Sequence, residues 1–364
     1  MKLVSLDVLQ NAVKSYIDST KIANPTFTAT KEDLTGLINK IFREVFLDGD
    51  YTEDLGFMDG FEVTVGNTIE EYFANFVSPE DYDAEGANAL APARPSWQKA
   101  TYSTRLGRKK FKTTKDYGTI QKAFNNVEAY ESLVMTVAKR LYDSVTLYLN
   151  DCKRQLIGNV CTKLESVASD TAFAKGKAYT AGDRVANGVI LENMTTAQNT
   201  YASLADAQKA GKAVALDLVT SIAVPADTET GEAFIKSVKT YAEAFQKPRQ
   251  GYSYNGNIAG RAPSYVLVLK DGIMPSLEVD TMAGAFHDDK LAFPVEVKKV
   301  KDFGDNADCF ALLIDSRAMK LHNAYRAVRE QENADGDFVN YILHDDEIAF
   351  YSPNCMMHAW KKSA

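Results

Sequence analysis

The sequence lacks the short motifs that identify most common catalytic and nucleotide-binding sites. It contains no G-x-G-x-x-G loop, no P-loop, no G-x-S-x-G nucleophile elbow and no H-E-x-x-H zinc motif. Each motif places its residues where the chemistry needs them, so the usual signs of an NTPase, a dinucleotide-dependent enzyme, a serine hydrolase and a metalloprotease are all missing. Paired carboxylates for acid–base catalysis stay possible, but no pair stands out.

Cysteine and histidine are both scarce, with four of each in 364 residues. Because no C-x-x-C pair occurs, we interpret the cysteines as reduced, buried small side chains of a protein made in the cytosol; they are Cys152, Cys161, Cys309 and Cys355. Two histidines precede paired acids, in His287-Asp288-Asp289 and His344-Asp345-Asp346. Both triplets are predicted to lie in turns, whose consecutive residues rarely converge on one ion, so we predict no metal and no cofactor.

Long hydrophobic runs are also missing. The apolar stretch 265–269 is far shorter than the roughly 20 residues that a membrane helix needs. The first residues lack the basic region, apolar core and cleavage site of a signal peptide, so neither a signal peptide nor a membrane span is predicted. The formal net charge of −8 argues against non-specific nucleic-acid binding, because phosphates attract cations.

The sequence does contain an ordinary globular composition, with 45% hydrophobic and 25% charged residues. A chain of 364 residues is long for one compact core, so we expect two or three sub-domains. Helix and strand patterns both occur, which predicts an α+β fold.

The most unusual local feature is a reversal of charge between two adjacent segments. Residues 44–93 contain thirteen acids and no Lys or Arg, whereas residues 94–115 contain eight basic residues and no acid. Three interpretations of the basic segment stay open: a solvated strand face, a nucleic-acid patch, and a surface that pairs with the acidic segment of a neighbouring copy. Few aromatic residues accompany it, so the nucleic-acid signal is weak. Charge pairing between copies would set register and partner choice more than affinity.

A long amphipathic pattern begins directly after the basic segment. Between Asp116 and Leu164, apolar residues recur at steps of three and four, as on one face of an α-helix. Gly158 is the only interior glycine, and a break near it is possible. One continuous helix would extend about 70 Å at 1.5 Å per residue. It needs a partner along its length, and the imperfect heptad favours a sheet or a second helix over a coiled coil.

The charge reversal coincides with a predicted hairpin. Residues 61–65, 72–77 and 97–112 alternate like strands, and the segment 78–95 between them is rich in Pro, Asp, Gly and Ala. The hairpin has no hydrophobic face adequate for independent stability. We therefore predict that a neighbouring molecule supports it.

The other segments predict a mixture of helices and strands. Helices are predicted twice within 1–47 and once each over 191–210 and 232–245. Strands are predicted at 216–224, 264–270, 295–300 and 310–314, and the apolar run of the last is typical of burial on both faces. The closing part is predicted as strands over 318–330, 338–343, 347–351 and 355–360, with a hairpin turn at Asp335-Gly336.

Several segments occur in a recognisable order. They are the strand start Gly66–Phe73, the path to Trp97, Phe111–Thr114 leading into the long helix, Glu232–Lys236, Pro263–Leu269, and the ending Phe338–Trp360 with Tyr351-Ser352-Pro353-Asn354. Their order and spacing resemble the tailed-bacteriophage major capsid proteins of the Hong-Kong-97-like fold, with the phi29-like podovirus head proteins closest. The resemblance covers about residues 65–360, and no single motif in it is diagnostic.

The resemblance implies an α+β capsid fold with four parts. These are an N-terminal arm at 1–62, an E-loop hairpin at 63–115, a P-domain at 116–165 and 339–364 with the spine helix and the closing strands, and an A-domain at 166–338. It further implies that the E-loop of one copy lies over the spine helix of the next. The implied subunit-interface residues on the E-loop are Trp97, Tyr102, Arg105, Arg108, Lys109, Lys110 and Lys112.

The implied function is structural and not enzymatic: a major capsid protein that assembles into the icosahedral or prolate head shell around the phage genome. Expected partners are the protein itself, in pentamers and hexamers, together with scaffolding and portal proteins. DNA would be enclosed without sequence-specific binding, and no membrane contact is expected. The implied location is the virion, after synthesis in the host cytoplasm.

Two other functions stay open on the sequence alone. An encapsulin-like compartment would use the same fold to enclose protein cargo. An unrecognised soluble α+β enzyme or binding protein would instead be a monomer or small oligomer with a ligand pocket.

Overall fold

The computed structural model describes residues 55–63, 68–74, 97–102, 105–116, 118, 127–259, 264–275, 277 and 293–363. These residues form two compact units. The first unit takes its residues from Met1–Asn67, Thr104–Lys153 and Leu321–Ala349, and the second from Thr68–Ser103, Arg154–Lys320 and Phe350–Ala364. The helices predicted within 1–47 and the hairpin tip at 78–95 lie outside the described residues.

The described elements include three α-helices and thirteen strands. The helices are α1 (Val127–Ser166), α2 (Leu204–Lys209) and α3 (Thr228–Phe245). The strands are β1 (Ile69–Ala74), β2 (Trp97–Tyr102), β3 (Lys109–Asp116), β4 (Arg184–Val185), β5 (Gly188–Ile190), β6 (Ala213–Ala215), β7 (Val219–Ile222), β8 (Tyr265–Lys270), β9 (Glu296–Val300), β10 (Cys309–Asp315), β11 (Met319–Asn333), β12 (Phe338–Tyr351) and β13 (Met357–Lys362).

Helix α1 contains 40 residues and confirms the predicted long helix over this range. At 1.5 Å per residue it extends about 60 Å. Its apolar stripe is buried, as the spacing of three and four residues requires. Each of the following is at most 2% exposed: Val137, Leu141, Val145, Ile157, Val160, Cys161 and Leu164.

Gly158 does not break α1, so the expectation of a break near it is wrong. The turn at Phe303 comes so close that a Cβ on Gly158 would lie 2.0 Å from the Phe303 carbonyl oxygen. One helical turn earlier, Arg154 donates to both carboxylate oxygens of Asp302, at 2.6 and 2.7 Å. The glycine therefore lets a neighbouring backbone reach the helix.

The first unit contains a three-stranded sheet in the order β11–β12–β3. The predicted hairpin turn between β11 and β12 is confirmed, and there the Asn333 side chain accepts a hydrogen bond from the Gly336 N–H at 3.0 Å. Strand β3 pairs antiparallel with β12, and the ring of Phe111 lies 5.7 Å from that of Tyr148 on α1. The long helix thus has a sheet as a partner, which is one of the two partners that its pattern leaves open.

Strand β12 runs without interruption through His344, Asp345 and Asp346. The prediction of a turn at this triplet, with separate strands on either side, is therefore wrong. Asp345, Asp346 and Glu347 are buried, with 1%, 3% and 4% exposure. Consecutive acids usually mark a solvated segment, but here cationic side chains of the same unit meet them.

The second unit is built on a five-stranded sheet in the order β7–β13–β10–β8–β9. Strand β10 lies at its centre and every residue of it is buried, as the apolar run predicts. Helix α3 begins at a capping box formed by Asp227 and Thr230. It places Phe234 against Phe310 and Trp360, with ring centroids 5.5 and 5.8 Å apart.

The two closing strands lie in different sheets. Strand β12 pairs with β3, whereas β13 pairs with β10 and β7. The division between the two units falls between Ala349 and Phe350. The predicted P-domain range 339–364 thus contains one strand of each sheet.

A small three-stranded sheet in the order β4–β5–β6 also belongs to the second unit. The helix predicted over 191–210 is wrong for most of its length, since only α2 is α-helical. Met194 instead exchanges backbone hydrogen bonds with Tyr179, at 2.8 and 2.9 Å. Helix α2 begins only after Ser203, whose hydroxyl accepts from the Asp206 N–H. A buried apolar cluster around Ile190 favours this tertiary pairing over the local helical pattern.

Candidate assembly site

The predicted interface residues lie on three neighbouring segments of the chain. Trp97 and Tyr102 are the ends of β2; Arg105 and Arg108 lie between β2 and β3; Lys109, Lys110 and Lys112 belong to β3. Strand β2 pairs with β1 in the second unit, whereas β3 pairs with β12 in the first. The prediction of one alternating strand over 97–112 is therefore wrong, because its basic half belongs to another sheet.

Strands β1 and β2 form the described part of the hairpin. They pair antiparallel from Ile69 opposite Tyr102 to Ala74 opposite Trp97. On the exposed surface of this pair, Lys99 forms an ion pair with Glu70 at 2.7 Å. Both side chains are largely solvated, so the pair adds little stability. It does show that one basic residue of the segment 94–115 already has an acidic partner within its own copy.

Tyr102 anchors the base of the hairpin to the second unit. Its ring packs edge-to-face on Phe350, with centroids 4.7 Å apart. Its hydroxyl donates to Glu71 at 2.7 Å, and the Ser352 hydroxyl donates to the other oxygen of the same carboxylate. Burial, together with the bond to Glu71, raises the pKa of the Tyr102 phenol. The hydroxyl therefore stays a hydrogen-bond donor over the ordinary pH range.

Arg105 is used within its own copy. Its guanidinium donates to Asp346 at 3.1 Å, and its backbone forms a bridge with Ile348 on β12. Its neighbour Leu106 donates its N–H to the carbonyl of Glu347 at 3.0 Å. Arg105 thus compensates a buried carboxylate and holds the chain entering β3 against β12.

The remaining basic residues form a cationic face on the sheet of the first unit, which we call the basic face. It consists of Arg108, Lys110, Lys112 and Arg329, all exposed. Lys110 lies opposite His344 and Lys112 opposite Ile342 in the β3–β12 pairing, and Arg108 stacks 4.5 Å from the ring centre of Tyr325. None of the four cations forms an ion pair with an acid that the structure describes.

His344 lies within the positive potential of the basic face, and this potential affects the pKa of its imidazole. Partial burial lowers the pKa of its imidazole, and the charges of Arg329, Arg108 and Lys110 lower it further. The imidazole is therefore neutral at pH 7, and the face carries only the four fixed positive charges. Lys109 projects to the opposite side of β3 by strand alternation and does not belong to this face.

The opposite face of the same sheet holds a buried carboxylate pair that sequence reasoning missed. Asp345 and Glu347 both accept hydrogen bonds from Arg326, at 2.7 and 3.0 Å. Both also accept from the Asn323 amide, at 3.2 and 2.7 Å. Burial raises the pKa of both groups, that of Glu347 to about 7. The usable signal was two acids two residues apart, both directed to one face of the strand, with an arginine on the preceding strand.

The chemistry of the described residues offers no metal centre. Within these ranges, no group of three or more His, Cys, Asp or Glu side chains is arranged to hold an ion. The four cysteines are free; Cys161 and Cys309 are buried, and Cys152 and Cys355 are half-buried. No described helix is long and apolar enough to span a membrane.

Comparison with solved structures identifies the fold. The chain is similar to one in the capsid structure of Staphylococcus phage Andhra, with 11% identity, a TM-score of 0.50 and coverage of 86% of this chain and 87% of that one. It is also similar to a chain in the structure of the head fiber and inner core protein gp22 of native bacteriophage P68, with 11% identity, a TM-score of 0.50 and coverage of 84% and 83%. The predicted α+β capsid fold of the Hong-Kong-97-like type is confirmed.

Comparison of sequences identifies the family. A search of curated proteins found no match. The family model of the Phi29-like phage major capsid protein matches residues 7–360, which is nearly the whole chain. The chain therefore belongs to the phi29-like phage major capsid protein family.

Proposed function

We propose that copies of this major capsid protein assemble into the phage head through contacts between the E-loop of one copy and the body of the next. Family membership makes the chain a shell-forming structural protein, which disfavours the enzyme and encapsulin-like alternatives. The proposed shell is icosahedral or prolate, is built of pentamers and hexamers, and encloses the genome. Closed symmetry repeats each contact many times, so weak contacts are sufficient.

The proposed division of labour follows the four parts expected from the sequence. The E-loop, 63–115, reaches the neighbour; the P-domain carries α1 as its spine; the A-domain, 166–338, contains most of the five-stranded sheet; and the arm, 1–62, adds further contacts. The structure supports one refinement, since β3 pairs with β12 and β13 pairs with β10. We accordingly place the end of the E-loop before β3, and β13 with the A-domain.

The basic face is the observation that carries the interface proposal. Its four cations lie together on one side of a sheet and have no acidic partner among the described residues. The segment 44–93 of the same chain carries thirteen acids and no Lys or Arg. We propose that this acidic segment of a neighbouring copy meets the basic face, with Arg108, Lys110 and Lys112 as contacts. Such pairing would select the register between copies more than it would add affinity.

The other predicted interface residues take different roles in this proposal. Trp97 and Tyr102 lie at the ends of β2, and Tyr102 fixes the hairpin base. Arg105 supports β12 through Asp346. Lys109 lies on the far side of β3, where it would meet a partner only along the edge of the sheet.

Charge reversal tests the proposal. The variant Lys110→Glu/Lys112→Glu should fold normally, because both side chains are exposed, but should not form shells in electron micrographs. The matched control Lys175→Glu/Lys247→Glu changes the net charge equally at two exposed positions of the second unit and should assemble. Assembly of the unaltered protein should also weaken as salt screens the contact. Normal particles from the first variant would contradict the proposed interface.

We also propose partners that the shell needs. Scaffolding and portal proteins would set the size and the single opening of the shell, and DNA would be held without sequence-specific contacts. The net charge of −8 supports a wall that does not adhere to packaged DNA. Synthesis in the host cytoplasm would precede incorporation into the virion. Co-purification of particles from infected cells, with and without DNA, is the measurement that tests these partners.

A further inference from the structure

Two buried carboxylates on β12 share one cation. Asp345 and Glu347 are 1% and 4% exposed and lie two residues apart, on one face of the strand. The Arg326 guanidinium donates to Asp345 at 2.7 Å and to Glu347 at 3.0 Å. The second shared donor, the Asn323 amide, is neutral. Two ionised carboxylates would therefore leave one net negative charge in a buried site, which is costly.

The surrounding groups do not supply the missing positive charge. The positive charge of buried Lys153 on α1 favours the ionised form of Glu347, but its ammonium also donates to Asp59 at 2.6 Å, and that carboxylate offsets its charge. Asp346 projects to the other face of β12, where Arg105 meets it. Tyr148 and Cys152 on α1 lie within electrostatic range of the pair and are neutral, since burial raises the pKa of each. Lys109 lies opposite Asp345 in the β3–β12 pairing, but its side chain is exposed and forms no ion pair with a described acid. Among the groups bonded to one another around the pair, the carboxylates Asp345, Glu347, Asp346 and Asp59 outnumber the cations Arg326, Lys153 and Arg105 by one.

One oxygen of the pair also lacks a hydrogen-bond donor. The Asp345 Oδ2 atom is fully buried and has no partner among the described residues. An unsatisfied buried oxygen costs about 1–3 kcal/mol. A proton on one carboxylate would cancel the excess charge and provide a donor within the pair.

We propose that Asp345 and Glu347 hold one proton between them in the folded subunit, and that its release to solvent as the pH rises loosens the junction of β11 and β12. The raised pKa of Glu347, about 7, and the upward shift of Asp345 agree with this arrangement. The switch would lie within one copy and would not require assembly. A result that contradicts the proposed interface therefore leaves the shared proton untouched, and the reverse also holds.

The purified full-length subunit, kept unassembled at low concentration, tests the proposal with three variants. Glu347→Gln and Asp345→Asn each remove one charge, so either should melt at the same temperature as the unaltered protein at pH 5 and several degrees higher at pH 8. The double variant should melt lower than either single one at both pH values, because Arg326 loses both partners. Asp335→Asn, in the exposed β11–β12 turn, controls for the change in net charge and should match the unaltered protein.

Infrared spectroscopy gives the second readout. At pH 5.5 the unaltered protein should show the carbonyl stretch of a protonated carboxylic acid in a dry site, and Glu347→Gln should lack one such band. Should Glu347→Gln fail to fold, Asp345→Asn carries the same test. A melting difference between variant and unaltered protein that is the same at pH 5 and pH 8, with no change in the acid band, would overturn the shared proton.

Discussion

The carbonyl oxygen of Phe303 occupies the space beside Gly158, only 2.0 Å from the position that a Cβ would take. Alanine is favoured over glycine within a helix by about 1 kcal/mol. Here the added methyl group would collide with backbone, which cannot rotate away as a side chain could. The contact therefore outweighs the local helical preference.

Gly158→Ala should destabilise the second unit by about 1–3 kcal/mol, the usual cost of overpacking. Urea unfolding followed by circular dichroism measures the loss. Gly118→Ala is the control, since nothing lies within 4 Å of its added Cβ, and it should be neutral or stabilising. If Gly158→Ala unfolds at the same urea concentration as the unaltered protein, the close contact is not a structural constraint.

Arg105→Ala should destabilise the first unit by about 1–3 kcal/mol, because Asp346 would be left as a buried carboxylate without its cation. The double variant Arg105→Ala/Asp346→Asn should recover part of the loss, since the uncompensated charge is gone. Chemical denaturation of the single variants Arg105→Ala and Asp346→Asn and of the double variant closes the cycle. Lys109→Ala, an exposed neighbour, should change stability by less than about 0.5 kcal/mol.

Two other outcomes of this cycle would change the role assigned to Arg105. If the single and double variants lost equal stability, the Arg105 side chain would act through packing and not through Asp346. A loss of shells without loss of stability would instead return Arg105 to the interface set predicted from the sequence.

Local sequence patterns predict the elements whose burial follows from the spacing of their own apolar residues. The spacing along α1 and the apolar run of β10 report burial directly, and both elements are where the patterns predict them. The prediction of a helix over 191–210 is wrong for most of its length, because Met194 pairs with Tyr179 through tertiary contacts that no local pattern encodes.

The candidate site was harder to predict, because its pairings join distant segments. The basic half of 97–112 pairs with β12, more than two hundred residues away, so a hairpin pattern alone could not assign it. Consecutive acids are rarely buried, so no local pattern in His344-Asp345-Asp346 predicts the buried strand that the structure has there. Their cation, Arg326, comes from the neighbouring strand and becomes visible only once β11 and β12 are paired.

His358 should make the protein sensitive to acid. Its ring is fully buried, stacks 3.5 Å from Tyr241 and contacts Thr220 and the Asp217 carbonyl at 2.9 and 3.1 Å. Burial lowers its pKa from 6.5 to about 3. Below pH 6.5 the unfolded chain binds a proton that the folded chain does not, so stability falls as the pH drops towards 3.

The contribution of His358 to this loss is about 3 kcal/mol between pH 7 and pH 4.5, at 1.36 kcal/mol per pH unit, and Glu347 offsets part of it in the unaltered protein. Urea unfolding of His358→Gln should show a lower stability at pH 7 but no such loss on acidification. Tyr241→Phe keeps the imidazole and should retain the acid sensitivity. Equal acid sensitivity in His358→Gln would mean that another group is responsible.

The buried carboxylate pair changes stability in the opposite direction. A raised pKa of about 7 at Glu347 lowers stability as the pH rises from 4.5 to 7. Within that window the two groups oppose each other, so the unaltered protein should have a flatter pH profile than either Glu347→Gln or His358→Gln. Melting temperatures at half-unit pH intervals should separate the two slopes.

Tyr102→Phe should loosen the hairpin without unfolding the subunit. The variant keeps the ring contact with Phe350 but removes one of the two hydroxyls that donate to Glu71. The Ser352 hydroxyl still donates to this carboxylate. The expected cost is about 1 kcal/mol, the net value of one hydrogen bond. Because β1 and β2 have few other described anchors, the loss should appear as faster amide exchange in 69–74 and 97–102, with little change in global stability. Tyr72→Phe, which removes a hydroxyl that donates to the exposed Glu70, is the matched control and should leave exchange unchanged. If Tyr102→Phe exchanges at the same rate as the control, the phenol is not the anchor, and the ring contact with Phe350 alone holds the hairpin base.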